Sequence, residues 1–330
     1  MNRFTLELSE NQKYVTFPFY RGGVAITGEN VPSSGVKVPS SGMQMSPTGV
    51  QVPPSGAPLC GMTVKAAGTM RFRWNEENPQ RAQCLSQIAG HVAGGQGQLM
   101  PVPLELIHSK TVYDLREGNE TLGLQGDGMI TRNSALMPVV TVADCMPLYL
   151  YDSVTGVFGV VHSGWKGTGI VGQALELARS SYGAKAEDFS IVIGPHIRNC
   201  CYIVDEERAK YFSDNFGSDC VSPLEDGGKC YAGGRGLSVS WNNGNGKLYR
   251  LSLEKANLNV LEGAGVREEN IAVCTDCTCC NELLGSNRRE TADFLLKTPD
   301  KAGDKDALSR CFNVQAAFVY YKQNSAPPCQ

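Results

Sequence analysis

Histidine is scarce in this chain: of 330 residues only four are His, at positions 91, 108, 162 and 196. A cluster of several copper ions needs many imidazoles, so four exclude such a cluster and leave few three-ligand sites to draw. An excess of basic charge is also missing. Thirty Lys and Arg stand against 33 Asp and Glu, for a net charge of −3, and without a basic footprint nucleic acid is disfavoured as a primary partner. No apolar run reaches the ~18 residues of a membrane span. The opening MNRFTLELSENQKY has no apolar h-region, so a cytoplasmic protein is expected. Cysteine, by contrast, is plentiful. Thirteen of them, an odd number in a long chain without a secretory signal, argue for thiols or metal ligands over a disulfide framework.

The chain is organised around Val139 to Gly172, VVTVADCMPLYLYDSVTGVFGVVHSGWKGTGIVG. Two β-branched and aromatic runs flank the turn residues Asp152 to Gly156, which reads as strand, turn, strand, glycine-rich turn and helix start. A four-residue turn, Asp152 to Thr155, places Cys145 of the first run opposite His162 of the second on one face. One residue more would separate them to opposite faces, and Pro147, which has no N–H for a ladder, marks an interruption. A thiol facing an imidazole is a nucleophile with its base, a pair of zinc ligands, or a buried Cys packed beside a satisfied His. Gly167 to Gly172 form a G-x-G-x-x-G before a helix carrying Ile170, Ala174, Leu177 and Ala178 on one face and stopped by Gly183. A dinucleotide unit needs a parallel crossover, however, and the turn argument makes these strands antiparallel. The helix start, with Lys166 before it, instead suits a phosphate or a substrate oxyanion.

ADCMPLYLYD followed by GVVHSGWKGTG closely resembles the signature of a family once described as multicopper polyphenol oxidoreductases or laccases. That family is now described as zinc-dependent purine nucleoside phosphorylases with adenosine deaminase activity. The resemblance runs from roughly Tyr14 to Lys322 and implies a layered α+β fold, mixed sheets flanked by helices in four layers, αββα. It implies a zinc site made by His108, Cys145 and His162. His108 lies in LELIHSKTVYD, where the family has Gln-Val-His-Gly, so only the His is kept. Purine nucleosides and inorganic phosphate are the implied partners, with methylthioadenosine a further substrate. Arg21, in Arg21-Gly22-Gly23-Val24, Lys166, where the family has Arg, and Arg288, in Ser286-Asn287-Arg288-Arg289-Glu290, are the implied anion-holding groups. Asn287 and Glu290 replace the family's Tyr and Asp. A metal-free Cys145/His162 hydrolase or deamidase and copper-dependent phenol oxidation stand as alternatives.

The remaining chain reads as one domain over 1–330 with an insertion at 31–58. The insertion repeats every seven residues, with Gly35, Gly42, Gly49 and Gly56 in register, and every unit carries proline, so it reads as a surface insertion or a small repetitive β structure. Asn78-Pro79 opens a helix with Ala82, Leu85, Ile88, Ala89 and Val92 on one face, stopped by Gly94-Gly95. A strand is expected over Leu104 to Tyr113, carrying His108. Asp127, in a Gly-Asp-Gly turn, orients a ligating His or makes a local backbone bond. His196 is read as a loop residue and Tyr202 as packed or stacking on a base. Phe212 to Gly246 reads as a loop-heavy excursion. Ser252 caps a helix with Leu253, Ala256, Val260 and Leu261 inward, ending at Gly263 and Gly265, and strands are expected at Ile271 to Cys274 and Gln315 to Tyr321. Cys274-Thr-Asp-Cys277-Thr-Cys279-Cys280 contains a C-x-x-C step, a candidate second thiolate site, but no matching C-x-x-C lies at zinc-ribbon distance, which favours a decorated strand end.

Overall fold

A computed structural model describes residues 1–26, 56–92, 99–225, 229–230, 237–238 and 247–322. Most of the heptad repeat and the Gly94-Gly95 helix stop lie outside these residues. The fold is built on two mixed sheets. The first has seven strands in the order β1 (Asn2–Phe4), β17 (Ile271–Cys274), β11 (Phe189–Ile193), β9 (Met146–Asp152), β10 (Phe158–Ser163), β7 (Gly128–Thr131) and β6 (Val112–Leu115). The second has six: β3 (Val24–Ile26), β2 (Tyr14–Arg21), β4 (Leu59–Thr63), β18 (Gln315–Tyr320), β8 (Leu136–Val142) and β5 (Met100–Pro103). A small sheet of β12 (Ile203–Asp205), β16 (Leu248–Leu251) and β13 (Val221–Pro223) and a pair of β14 (Lys229–Cys230) and β15 (Leu237–Ser238) complete the strands described.

Side-chain alternation along the strands stacks these sheets. Tyr149, Tyr151, Phe158 and Val160 of the seven-stranded sheet pack with Val140, Val142, Ala317 and Val319 of the other in one buried cluster. On the opposite face Leu148, Leu150, Ile191 and Ile193 meet Ile170, Ala174, Ala256 and Leu261 from helices α2 (Ile170–Tyr182) and α4 (Leu253–Ala264). Outside the six-stranded sheet, Val139, Ala316 and Phe318 pack on Leu85, Ile88 and Ala89 of α1 (Pro79–Val92). Period-two alternation with both faces apolar is what a strand buried between two layers requires. The result is four layers, αββα. Gly61 of β4 faces Phe318, whose ring would lie 2.1 Å from an added Cβ, so the neighbouring strand accepts no side chain there.

The helix signals are legible as capping. Asn78 Oδ1 accepts from the N–H of Arg81 ahead of Pro79, and Ser252 accepts from Lys255 N–H. Gly183 and Gly265 close α2 and α4 in the left-handed conformation that glycine adopts without a Cβ clash. Four expectations need correction. The run from Val139 to Tyr151 is two strands in different sheets, β8 and β9, joined by Ala143-Asp144-Cys145. Pro147 lies inside β9 and uses its carbonyl, not an N–H, to accept from Gly194. Leu104 to Tyr113 is mostly a connection between β5 and β6, because those strands also belong to different sheets and the chain must cross between them. The stretch from Phe212 begins within a helix, α3 (Glu206–Phe216), whose cap is Asp205 accepting from Arg208 N–H.

Candidate metal centre and its cavity

The β5–β6 and β8–β9 crossings between the sheets end at the same place. His108 sits on the first, Cys145 on the second, and His162 near the end of β10 beside them. The β9–β10 register differs from the four-residue turn. Asp152 carboxylate accepts from the N–H groups of Val154 and Thr155, and its own N–H donates to Val157, so Tyr151 pairs with Phe158 and His162 with Pro147. The shift is two residues, an even number, so Cys145 stays on the face of His162. The ligand atoms of His108, Cys145 and His162 all lie within 4.8 Å of one another. The two imidazole rings stand 4.9 Å apart at 82°.

The backbone is strained to achieve this. Among the described residues only His108 (φ 60°) and Asp144 (φ 77°) are non-glycine residues at positive φ, and such conformations persist where the surroundings over-determine them. Asp144 is fixed at both oxygens: Thr278 Oγ1 donates to Oδ1 and Arg288 N–H to Oδ2, each at 2.6 Å, while Ile197 N–H donates to its carbonyl. Burial raises the Asp144 carboxyl above the usual carboxylate range, the hydrogen bonds opposing it. His108 is fixed through its backbone N–H, which donates to Asp127 Oδ1 at 3.0 Å.

Asp127 is therefore more than a turn residue. It is fully buried; Oδ1 lies 2.9 Å from His162 Nδ1, and Oδ2 accepts from Ser109 N–H and Oγ at 2.5 and 2.6 Å. Burial works against its charge, but His162 and Ser109 outweigh it and hold the carboxyl below its ordinary range. With Nδ1 directed at Asp127, His162 turns Nε2 toward the other two ligands, the second-sphere arrangement of ligating histidines. Burial opposes a thiolate at Cys145, yet the charge of His162 and hydrogen bonds from both histidines bring it down to about 6. Reciprocally, Cys145 and Asp127 overcome burial and raise His162 to about 10.

Gly164 closes the site from below. A Cβ there would lie 3.0 Å from Cys145 Sγ and 3.1 Å from His108 Cδ2, so the three side chains converge over a position that holds no side chain. Two imidazoles and a thiolate, with one imidazole oriented by a carboxylate, fit a three-ligand zinc centre with an open position. The centre joins two cavities. A larger one of about 410 Å³ is lined by His108, Cys145, Trp165, Lys166, Tyr202 and Arg288, among others, within the ~300–1,000 Å³ range of small-molecule sites. A smaller one, about 170 Å³, lies on the side of Arg71, Arg73 and Thr141.

Not all residues expected at the site reach it. Lys166 and Arg288 line the larger cavity; the Arg288 guanidinium donates to Ile203 O and lies 5.6 Å from the Tyr202 ring centre. Arg21 is elsewhere. It bonds Ser153 and Asp188 at the far end of β9, about 20 Å away for seven residues of strand. The helix start at Gly169 also turns aside: Ile170 and Gly172 N–H groups are taken by Gly167 and Gly169 carbonyls, and an added Cβ at Gly169 would face Lys110 and Phe216. β10 is antiparallel to both neighbours, so the glycine motif opens no dinucleotide unit. His196 is fully buried, bridges Cys277 and bonds Gly194 O through Nδ1. Two contributors escaped the sequence reading. Gly164 stands inside HSGWKG and signals only close approach, whereas Arg208, stacked 4.5 Å over Trp165 in the cavity wall, lies on α3, a helix that was not anticipated.

These features define a layered α+β protein with a Cys/His₂ candidate metal centre opening on a basic, aromatic cavity. Residues 79–294 match the family model described as multi-copper polyphenol oxidoreductase laccase, and the chain belongs to that family. It is 30% identical over 176 residues to a purine nucleoside phosphorylase of Borreliella burgdorferi, covering 53% of this chain and 69% of that protein. It is 31% identical over 197 residues to purine nucleoside phosphorylase YlmD of Geobacillus stearothermophilus, covering 56% and 66%. The match to human purine nucleoside phosphorylase LACC1 is 28% over 160 residues, 46% of this chain and 32% of that one. Among solved structures, YfiH of Bacillus licheniformis aligns with TM-score 0.62 at 21% identity over 80% of this chain and 93% of its own. YlmD of Geobacillus stearothermophilus aligns at 0.60 and 23% over 82% and 94%.

Proposed function

We propose that the chain, acting as a single unit, is a zinc-dependent purine nucleoside phosphorylase that also deaminates adenosine and accepts methylthioadenosine. The observation that carries this reading is the convergence of His108, Cys145 and His162 on one point, with His108 and Cys145 also lining the cavity of about 410 Å³. Relatives named purine nucleoside phosphorylase support the substrate class. His108, Cys145 and His162 would hold the ion, and zinc so bound supplies a Lewis acid and lowers the pKa of a bound water. Asp127 keeps the Nδ1 proton of His162 in place and so fixes the ligating nitrogen. Lys166 and Arg288 hold phosphate near the sugar. An oxygen of that phosphate then bonds the anomeric carbon as the glycosidic bond breaks and the purine leaves. Trp165 and Tyr202 offer ring faces to the base; Tyr202, its hydroxyl pushed up to about 12 by burial, stays neutral there.

The test is incubation of metal-quantified protein with adenosine, inosine and methylthioadenosine, with and without phosphate, against His162→Ala. Free base that appears only with phosphate, inosine from adenosine without it, and loss of both in the variant are expected. No turnover with zinc bound would overturn the reading. One alternative has an observation of its own: Cys145 as a thiolate beside His162, itself oriented by Asp127, is also a nucleophile–base arrangement. Turnover that survives chelation of the metal and dies on alkylation of Cys145 would establish that hydrolytic chemistry instead.

A further inference from the structure

The partner that the C-x-x-C step lacks in sequence is supplied by the fold. β11 and β17 are parallel neighbours, so the loops that follow them leave the sheet side by side. One carries Cys200 and Cys201, the other Cys277 and Cys280, and the four sulfurs all lie within 4.8 Å of one another. We propose that these four cysteines bind a second zinc ion, a closed tetrathiolate site separate from the Cys/His₂ centre.

The geometry favours a metal over a disulfide. Zn–S bonds of about 2.3 Å in a tetrahedron place sulfurs about 3.8 Å apart; Cys200 and Cys201 stand 3.8 and 3.3 Å from Cys280. A disulfide needs about 2.0 Å, and none of the four is joined in one. The surroundings suit thiolates. Arg198 N–H donates to Cys277 Sγ at 3.4 Å. The Arg250 guanidinium bonds the carbonyls of Asn199 and Cys200, and the buried Arg289 guanidinium bonds those of Thr278, Cys279 and Asn281. Arginines thus shape both cysteine loops and bring positive charge close to the excess negative charge of four thiolates on one divalent ion. Cys200 is exposed and Cys280 half-buried, so an ion reaches the sulfurs from solvent, and each thiol yields its proton to solvent as its bond to zinc forms.

Such a clamp would brace the wall of the larger cavity. Ile197 and Tyr202 of the first loop line it, and Thr278, between Cys277 and Cys280, holds Asp144 next to Cys145. This assigns the ion a structural role, since four protein sulfurs leave no open coordination position.

Metal analysis of the purified full chain is the first test, with two zinc ions per chain expected in the wild type. One is expected in Cys145→Ser, and one in the double variant Cys277→Ser/Cys280→Ser. A single ion, lost in Cys145→Ser and retained by the double variant, would overturn the proposal. Because the double variant risks misfolding, Co²⁺ is also added to metal-free Cys145→Ser, whose cysteine cluster is intact. Intense sulfur-to-cobalt charge-transfer bands with tetrahedral d–d absorption are expected. Their absence, or a disulfide among the four thiols by non-reducing mass spectrometry, would overturn it equally.

Discussion

Asp127→Asn isolates the orientation of His162 from the ligands themselves. The carboxylate accepts from His162 Nδ1, His108 N–H and both donors of Ser109, and it has no access to water. An amide of the same shape has one accepting oxygen. Its NH₂ must face either the Ser109 donors or the His108 N–H and His162, so at least one buried donor loses its partner and His162 loses a charged one. A bond to a charged group is worth about 1.5–3 kcal/mol, and loss of a second-sphere partner weakens metal binding about 10–100-fold, or about 1.4–2.8 kcal/mol. Zinc affinity, measured by competition with a chromophoric chelator against His162→Ala as the floor, is expected to fall into that range. The metal-free variant is expected to unfold at lower denaturant. Because the Asp127 carboxyl is held below its ordinary range, its stabilisation is present above the unfolded value of about 4 and is lost as pH falls through the folded one. The gap between wild type and variant therefore closes in acid. Zinc affinity indistinguishable from the wild type in a folded Asp127→Asn protein would show that Asp127 does not orient His162 for the metal.

Alkylation of Cys145 in metal-free protein, followed by peptide mass spectrometry, is expected to lose rate as pH falls through about 6, and zinc is expected to protect the thiol; a midpoint at the ordinary value near 8.5 would contradict the Cys145–His162 pairing. Gly164→Ala places a methyl 3.0 Å from Cys145 Sγ; overpacking of about 1–3 kcal/mol should appear as a lower melting temperature of the metal-free chain together with weaker zinc binding. Thr278→Val removes a donor from buried Asp144 and is expected to cost about 1–3 kcal/mol near neutral pH. That cost shrinks in acid, where the carboxyl, already raised by burial, takes up its proton. Lys166→Ala is expected to raise KM for phosphate, whereas Arg21→Ala, which removes a half-buried pair with Asp188 far from the cavity, should leave turnover unchanged and cost no more than about 1 kcal/mol.

The sequence carried the local information well. The caps at Asn78 and Ser252, the glycine stops at Gly183 and Gly265, and the apolar faces of α2 and α4 are short-range signals, and they stand in the structure as the residues imply. Cys145 and His162 share a face because parity depends only on whether the loop is even or odd, and both the expected and the observed loop are even. What the sequence obscured was the change of sheet. A continuous apolar run from Val139 to Tyr151 looks the same whether it forms one strand or two strands of different sheets, since only Ala143-Asp144-Cys145 marks the crossing and its strain sits in a backbone angle. The same ambiguity made a strand of the connection bearing His108. Long-range pairings were similarly hidden. Nothing near Cys277 points to Cys200, and an arginine on a family motif is no guide to which end of a 20 Å strand it occupies, as Arg21 shows.

In the proposed function His108, Cys145 and His162 bind one ion while leaving part of it open to the larger cavity. Anomalous diffraction above and below the zinc edge, on crystals of the full chain, tests this most directly. A zinc peak within bonding distance of all three side chains is expected, with His162 bound through Nε2 and its Nδ1 still on Asp127. No peak there, with His108 turned away from Cys145 and His162 in protein shown to contain zinc, would contradict it.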